Sequence, residues 1–248
     1  MRERSQRTNI PLTKSFVRAS GPGIQPMLYR LYAGGRSGIV AVKLYLALVW
    51  RCSAPPYSSR RDSARAWATL LDLDDPGGKG ARRVRSALQK LEDLELVRID
   101  EDPGYPPTVT LLAEAGDGTP YEPASTRSFK MNRGRDTPDS DSYYFQVPAA
   151  MWTQGYIQAL SGPGMVMYLA LACEQAYRRD QWFSTEQFPE RFLFSAQTRA
   201  EGTKELKQAG LLRVTSKMLD EAGQTVSFGR MRRRNSYRLT GAAVPAKD

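Results

Sequence analysis

The sequence predicts an α+β fold, mainly α with small β-hairpins, in which one unit of three helices and a hairpin occurs twice in tandem. Three observations predict it. Tyr45-Leu46-Ala47-Leu48 recurs as Tyr168-Leu169-Ala170-Leu171. Each copy is followed by a similar ending, Leu96-Val97-Arg98-Ile99 and Leu211-Leu212-Arg213-Val214. Landmarks matched in the same order indicate an internal duplication. The stretches between and after them change from helical to alternating periodicity, helices first and a hairpin last. The 248 residues suffice for two units with their own cores.

The elements follow in order. Residues 1–27 form a basic arm; its first twenty positions set Arg2, Arg4, Arg7, Lys14 and Arg18 against Glu3 alone. The composition is polar and aperiodic, so a flexible segment is expected. The first unit spans 28–112. Leu28, Tyr29, Leu31 and Tyr32 suit a short lead-in helix. Its first main helix starts at Ser37-Gly38, with Ala41, Leu44, Tyr45 and Leu48 on one apolar face. Residues 53–62 read as a loop and 63–71 as a second helix that offers Ala66, Trp67 and Leu70 for packing. Asp74-Asp75-Pro76-Gly77-Gly78 is a turn. A third helix over Lys79–Asp93 turns Val84, Ala87, Leu88 and Leu91 inward. Alternation on either side of Pro103-Gly104 marks the hairpin.

Residues 113–142, rich in Gly, Pro, Ser, Thr and Asp, read as a linker. The second unit spans 143–240. Tyr143-Tyr144-Phe145-Gln146-Val147-Pro148 is a strand, and Trp152, Tyr156, Ile157 and Leu160 mark a short helix. Ser161-Gly162-Pro163-Gly164 leads the next helix. Ser184 with Gln187 forms a capping box for the second helix, and Ser195 caps the third, which stops at Ala209-Gly210. The hairpin pairs 212–216 with 228–239, and 241–248 form a tail.

The charge is +10 and the pI about 9.7, which points to a polyanionic partner. Its placement is more specific than its sum. Residues 79–90 hold Lys79, Arg82, Arg83, Arg85 and Lys90 and no acid. With the core face inward, Arg82, Ser86 and Gln89 point directly away, Arg83 and Arg85 on the shoulders. Arginine can fork onto guanine and glutamine onto adenine in the major groove. Residues 213–238 hold seven basic residues and two acids. Arg230, Arg232, Arg233, Arg234 and Asn235 lie on the return strand, where phosphates or a minor groove are in reach. Residues 91–142 are the reverse, twelve acids to five bases. Asp100-Glu101-Asp102 at the first hairpin tip would be repelled by phosphate. On the second unit's third helix Gln197, Thr198, Lys204 and Gln208 face outward. Glu201 and Glu205 dilute the charge there, and Arg199 falls on the inward side, able to reach out past the core.

Histidine is absent and the only cysteines are Cys52 and Cys173. No CxxC pair offers a zinc site, and the clustered Asp72, Asp74 and Asp75 read as a solvated helix stop. No metal, cofactor, catalytic residue or small-molecule ligand is expected. With no apolar leader and no stretch near the ~20 apolar residues of a span, the expected location is cytoplasmic, with the nucleoid.

Thr198–Val214, with Leu206 ahead of Ala209-Gly210-Leu211-Leu212, resembles the recognition helix and first wing strand of winged helix-turn-helix regulators. Arg234-Asn235-Ser236-Tyr237-Arg238-Leu239 resembles their closing wing strand. Phe145-Gln146-Val147-Pro148 followed by Trp152 and Gly155-Tyr156 is similar to a segment preceding such domains in actinobacterial proteins. Tandem winged helices also resemble plasmid replication initiators. The resemblance implies two winged-helix domains on double-stranded DNA and a sequence-specific transcriptional regulator. Its alternatives are a plasmid or phage replication initiator and a segregation adaptor on repeated sites. A DNA-processing enzyme or a protein-interaction scaffold would be a different class. A palindromic target would require a homodimer.

Overall fold

The computed structural model describes residues 8–21, 23–33, 36–59, 62–137, 142–219 and 232–246. Helix outweighs strand in an α+β fold. The chain runs through β1 (Asn9–Thr13), α1 (Lys14–Val17), α2 (Met27–Tyr32), α3 (Arg36–Arg51), β2 (Ser58–Ser59), α4 (Ala64–Leu70), α5 (Lys79–Asp93), β3 (Val97–Asp102) and β4 (Tyr105–Leu111). After α6 (Ala124–Asn132) the order repeats without a counterpart of β2. It gives β5 (Tyr144–Pro148), α7 (Ala150–Thr153), α8 (Tyr156–Ala159), α9 (Gly162–Cys173), α10 (Gln187–Phe192), α11 (Ala196–Gln208), β6 (Leu212–Leu219) and β7 (Arg232–Leu239). The repeat thus includes a strand and two short helices ahead of each set of three main helices.

The repeated Tyr-Leu-Ala-Leu runs lie on α3 and α9. The single apolar face expected on α3 is only part of the truth, because Val42, Leu46 and Val49 are as buried as Ala41, Leu44, Tyr45 and Leu48. α9 is buried along nearly its whole length. A helix apolar all round belongs inside a core. Here α5 covers α3, α11 covers α9, and α3 meets α9. One hydrophobic core therefore runs through both units. Across it Trp50 stacks on Trp152 with ring centroids 6.0 Å apart, and Phe16 stacks on Tyr45 at 5.2 Å.

Within the segment read as a flexible arm, β1 and the Phe16 and Val17 side chains of α1 are built into this core. All five residues of β1 are buried. β1 pairs antiparallel with β5, Ile10 opposite Val147, Pro11 opposite Gln146 and Leu12 opposite Phe145. The register is symmetric about the Pro11–Gln146 pair, so the strands that open the two units meet about a local two-fold. Cross-packing continues the exchange. Tyr29 and Tyr32 of α2 set their edges against Phe194 at 5.6 and 5.5 Å, while Gln158 of α8 donates to the Leu70 carbonyl at 3.4 Å.

The segment 113–142 is not an open linker either. It carries α6 and two buried anchors. Tyr121 packs edge-on against Tyr57 at 5.2 Å. Glu114 accepts the Thr13 N–H at 2.7 Å and the Thr13 hydroxyl at 2.5 Å, tying this segment to β1. Burial pushes the Glu114 carboxyl up to about 7, against the two hydrogen bonds from Thr13. Within the expected C-terminal tail, Gly241–Ala243 form a 3-10 turn that buries Ala243 against α7 and β5.

Each hairpin gains a third edge. Ser58 and Ser59, inside the expected loop 53–62, pair with β4 to give the order β2-β4-β3. In the second unit Gln181 and Tyr237 exchange main-chain hydrogen bonds at 2.9 and 2.7 Å on β7. Where each third helix ends the units differ: Gly210 takes φ 71 after α11, but Glu95 takes φ 54 after α5. A side chain in that left-handed region costs roughly 1 kcal/mol relative to glycine. Glu95→Gly is therefore expected to raise stability by about 1 kcal/mol, seen as a higher urea midpoint at unchanged slope; a lower midpoint would refute it.

Cys52 and Cys173 are buried and are not joined in a disulfide. Burial pushes the Cys173 thiol far up. Among the described residues no helix is long and apolar enough to cross a membrane.

Candidate nucleic-acid interface

The start of α5 is fixed by Asp75. Its two carboxylate oxygens accept the N–H groups of Gly78 and Lys79 at 3.1 and 2.9 Å, which satisfies donors that a helix start leaves open. One member of the Asp72, Asp74 and Asp75 cluster is thereby a cap. Among the described residues no three ligating side chains gather as a metal site.

From that start the inward face of α5 is Ala81, Val84, Ala87, Leu88 and Leu91. Lys79, Arg82, Arg83, Arg85, Ser86 and Gln89 are all exposed. None of the described ion pairs engages Lys79, Arg82, Arg83 or Arg85. Two residues of the run are directed elsewhere. Gln89 donates to Asp93 at 3.0 Å and to Glu92 at 3.5 Å, and Lys90 bonds the Ala33 carbonyl at the end of α2. The outward cationic face therefore lies in the first half of the helix. Beside it a groove of about 530 Å³ runs to the first hairpin, with Arg65, Arg85 and Gln89 facing Glu101, Pro106 and Pro107. Asp100, Glu101 and Asp102 are exposed on that hairpin, and Asp100 pairs with Arg98 at 3.3 Å.

In the second unit the sequence expectations divide. Ser195 accepts the Thr198 N–H at 3.1 Å, and the two hydroxyls lie 3.0 Å apart, so Thr198 belongs to the cap of α11. Gln197 is exposed and donates to Glu201 at 2.8 Å. Arg199, expected to reach out toward DNA, points into the unit. It donates to the carbonyls of Ser184 and Phe183 at 3.0 and 3.1 Å and to the Tyr237 hydroxyl at 3.0 Å. Its guanidinium also lies over the rings of Phe183, Phe188 and Tyr237. The core there is aromatic, and cations favour ring faces. Arg199 locks α11 to the second hairpin. Glu205, expected to dilute surface charge, accepts the Ser161 N–H at 2.7 Å and caps α9.

Lys204 and Asn235 do come together. They line a groove of about 630 Å³ between α11 and β7, with Lys207 and Gln208. On the hairpin the Arg234 guanidinium lies 4.1 Å from the centre of the Trp182 ring, a contact between residues some fifty positions apart that has no local signal. Lys217 and Arg238 both pair with Asp180, Arg238 at 3.6 Å. Asp180 lies outside residues 213–238, so part of the positive excess of that stretch is neutralised from elsewhere in the chain. Arg232 and Arg233 sit on β7 opposite Leu219 and Met218; Arg230 lies outside the described residues.

The two third helices border one seam. Lys43, buried on α3, donates to the Gln158 carbonyl at 2.8 Å. Burial brings its ammonium down to about 8, with Glu205 of α11 acting against the fall and Arg83 of α5 adding to it. No family model, curated protein or solved structure matches the chain.

Proposed function

We propose that the chain is a double-stranded DNA-binding protein with two winged-helix domains, acting as a sequence-specific transcriptional regulator. The order helix, strand, helix, helix, hairpin is that of a winged helix; the first unit has it, and the second repeats it with a single bridging residue, Gln181, in the strand's place. The observation that carries the reading is the first half of α5, where Lys79, Arg82, Arg83 and Arg85 are exposed on a helix that the fold holds out beside a hairpin. In this module the third helix enters the major groove. Arg82 and Arg85 read bases; Lys79 and Arg83 hold phosphates. The second domain contributes phosphate contacts through Lys204 and Arg234. The reading assigns no catalytic residue, cofactor or small-molecule ligand.

A replication initiator is the second reading. One core through both domains fixes the separation of the two third helices, and a fixed pair suits adjacent repeats of the kind found at origins. Sequencing of genomic fragments selected by the protein, followed by footprinting, separates the two: isolated promoter sites support the regulator, a repeat array the initiator.

Fluorescence anisotropy on the selected site tests DNA reading itself. Arg82→Ala or Arg85→Ala should each cost about 1–3 kcal/mol on the cognate duplex and much less on a scrambled one. Arg234→Ala should weaken both alike and reduce the log–log salt slope by about 0.9. Equal loss on both duplexes from the α5 variants would refute base readout, and no duplex affinity at low salt would refute the function.

A further inference from the structure

A second cationic surface shares no residue with α5. α9 ends in a turn at Gln175, which adopts φ 57. The Gln175 carbonyl accepts the N–H groups of Arg178 and Arg179 at 2.9 and 3.4 Å. This turn sets two consecutive arginines beside Lys14, the first residue of α1. With Tyr143 and Tyr144 they line a groove of about 410 Å³. Lys14 is itself fixed there: its N–H donates to the Tyr143 carbonyl at 3.3 Å, and its ammonium lies 5.9 Å from the Tyr143 ring centre.

The groove also holds an acid, Glu174, but this carboxylate is buried and already paired with Arg18 at 3.0 Å and Arg191 at 3.6 Å. Lys14, Arg178 and Arg179 remain in excess, and none of the described ion pairs engages them. Beside them Tyr143 leaves 45% of its surface open. An open aromatic ring flanked by cations suits a partner that offers charge and a flat apolar face together. A duplex hides its base faces inside the stack, whereas a single strand exposes them.

We propose that this groove binds single-stranded nucleic acid, its phosphates on Lys14, Arg178 and Arg179 and a base against the Tyr143 ring. The site is independent of the duplex reading above and would stand if that reading failed.

The test uses the full chain with a short oligothymidine and, separately, the duplex selected for α5. Arg178→Glu/Arg179→Glu should weaken oligothymidine binding at least tenfold and lower its log–log salt slope by about 1.4, at about 0.7 per phosphate on single strands. Tyr143→Ala should cost about tenfold and Tyr143→Phe little, since the stacking face is retained. These variants should leave duplex affinity within about twofold, while Arg82→Ala should do the opposite. Thermal melts matching the wild type exclude misfolding, as all three positions are exposed. Iododeoxyuridine in the oligonucleotide should cross-link to Tyr143. The proposal is overturned if oligothymidine is not bound, or if binding survives the double substitution. It is equally overturned if Tyr143→Ala is silent, or if duplex and single strand lose affinity in parallel, which would make the groove a duplex clamp.

Discussion

Gly202→Ala is expected to destabilise the protein by about 3 kcal/mol and to lower Tm by roughly 6–12 °C. Gly202 lies where α11 presses on α9. A Cβ there would stand 2.2 Å from the Pro163 carbonyl oxygen and 2.6 Å from the Met167 Cβ. The first neighbour is backbone, so no side-chain rotation can make room and the helices must separate. α9 is packed on its other sides by the core it shares with α3, so the displacement is felt in both units. Gly77→Ala is the control, because a Cβ at Gly77 would meet nothing within 4 Å; its Tm should hardly move. Calorimetric scans of the two variants decide the matter. A Gly202→Ala protein that melts with the wild type would show that α9 and α11 can separate at little cost, against the close approach at Gly202.

Glu114→Gln is expected to make the protein more stable at pH 8 by about 3 kcal/mol and to leave its stability at pH 4.5 nearly unchanged. The Glu114 carboxyl titrates at about 7 in the fold against an ordinary 4.5, because burial opposes its charge. A raised folded value means that the stability linked to this group is complete below 4.5 and lost as pH rises through 7. The shift is worth about 3 kcal/mol. The chain has no histidine to titrate in that window. Lys43 acts elsewhere: its value is lowered to about 8, so its linked stability is present above 10.5 and lost as pH falls through 8. Urea titrations between pH 5 and 8 should therefore show the wild type weakening as pH rises and the Gln variant nearly flat. Gln keeps a carbonyl oxygen to accept from Thr13. A wild-type profile without slope in this range would refute a buried ionisable Glu114.

Third helices were legible in the sequence because their signals are local. Five cations without an acid, an inward face of Val84, Ala87, Leu88 and Leu91, and a cap at Ser195 are readable within a few turns. What the sequence concealed depends on distant partners. Ile10-Pro11-Leu12 is too short a run among charges to show a period, and only β5 makes it a strand. Glu114 and Tyr121 are two anchors in a segment of linker composition. Arg199 lies in register with Val84, yet a wheel cannot tell an outward cation from one met by Phe183, Phe188 and Tyr237. The excess on the second hairpin shrank for the same reason, since Asp180 arrives from the turn after α9.

The symmetric register of β1 against β5 bears on ancestry. Two identical polypeptides joined through such an edge would form an isologous pair, each lending its opening strand to the other. Joining them end to end keeps the pairing while freeing either half to change alone. Glu95 beside Gly210, Lys90 beside Glu205 and Val84 beside Arg199 are matched positions at which the halves differ, and in the second half Glu205 and Arg199 fasten α11 to Ser161 and Tyr237.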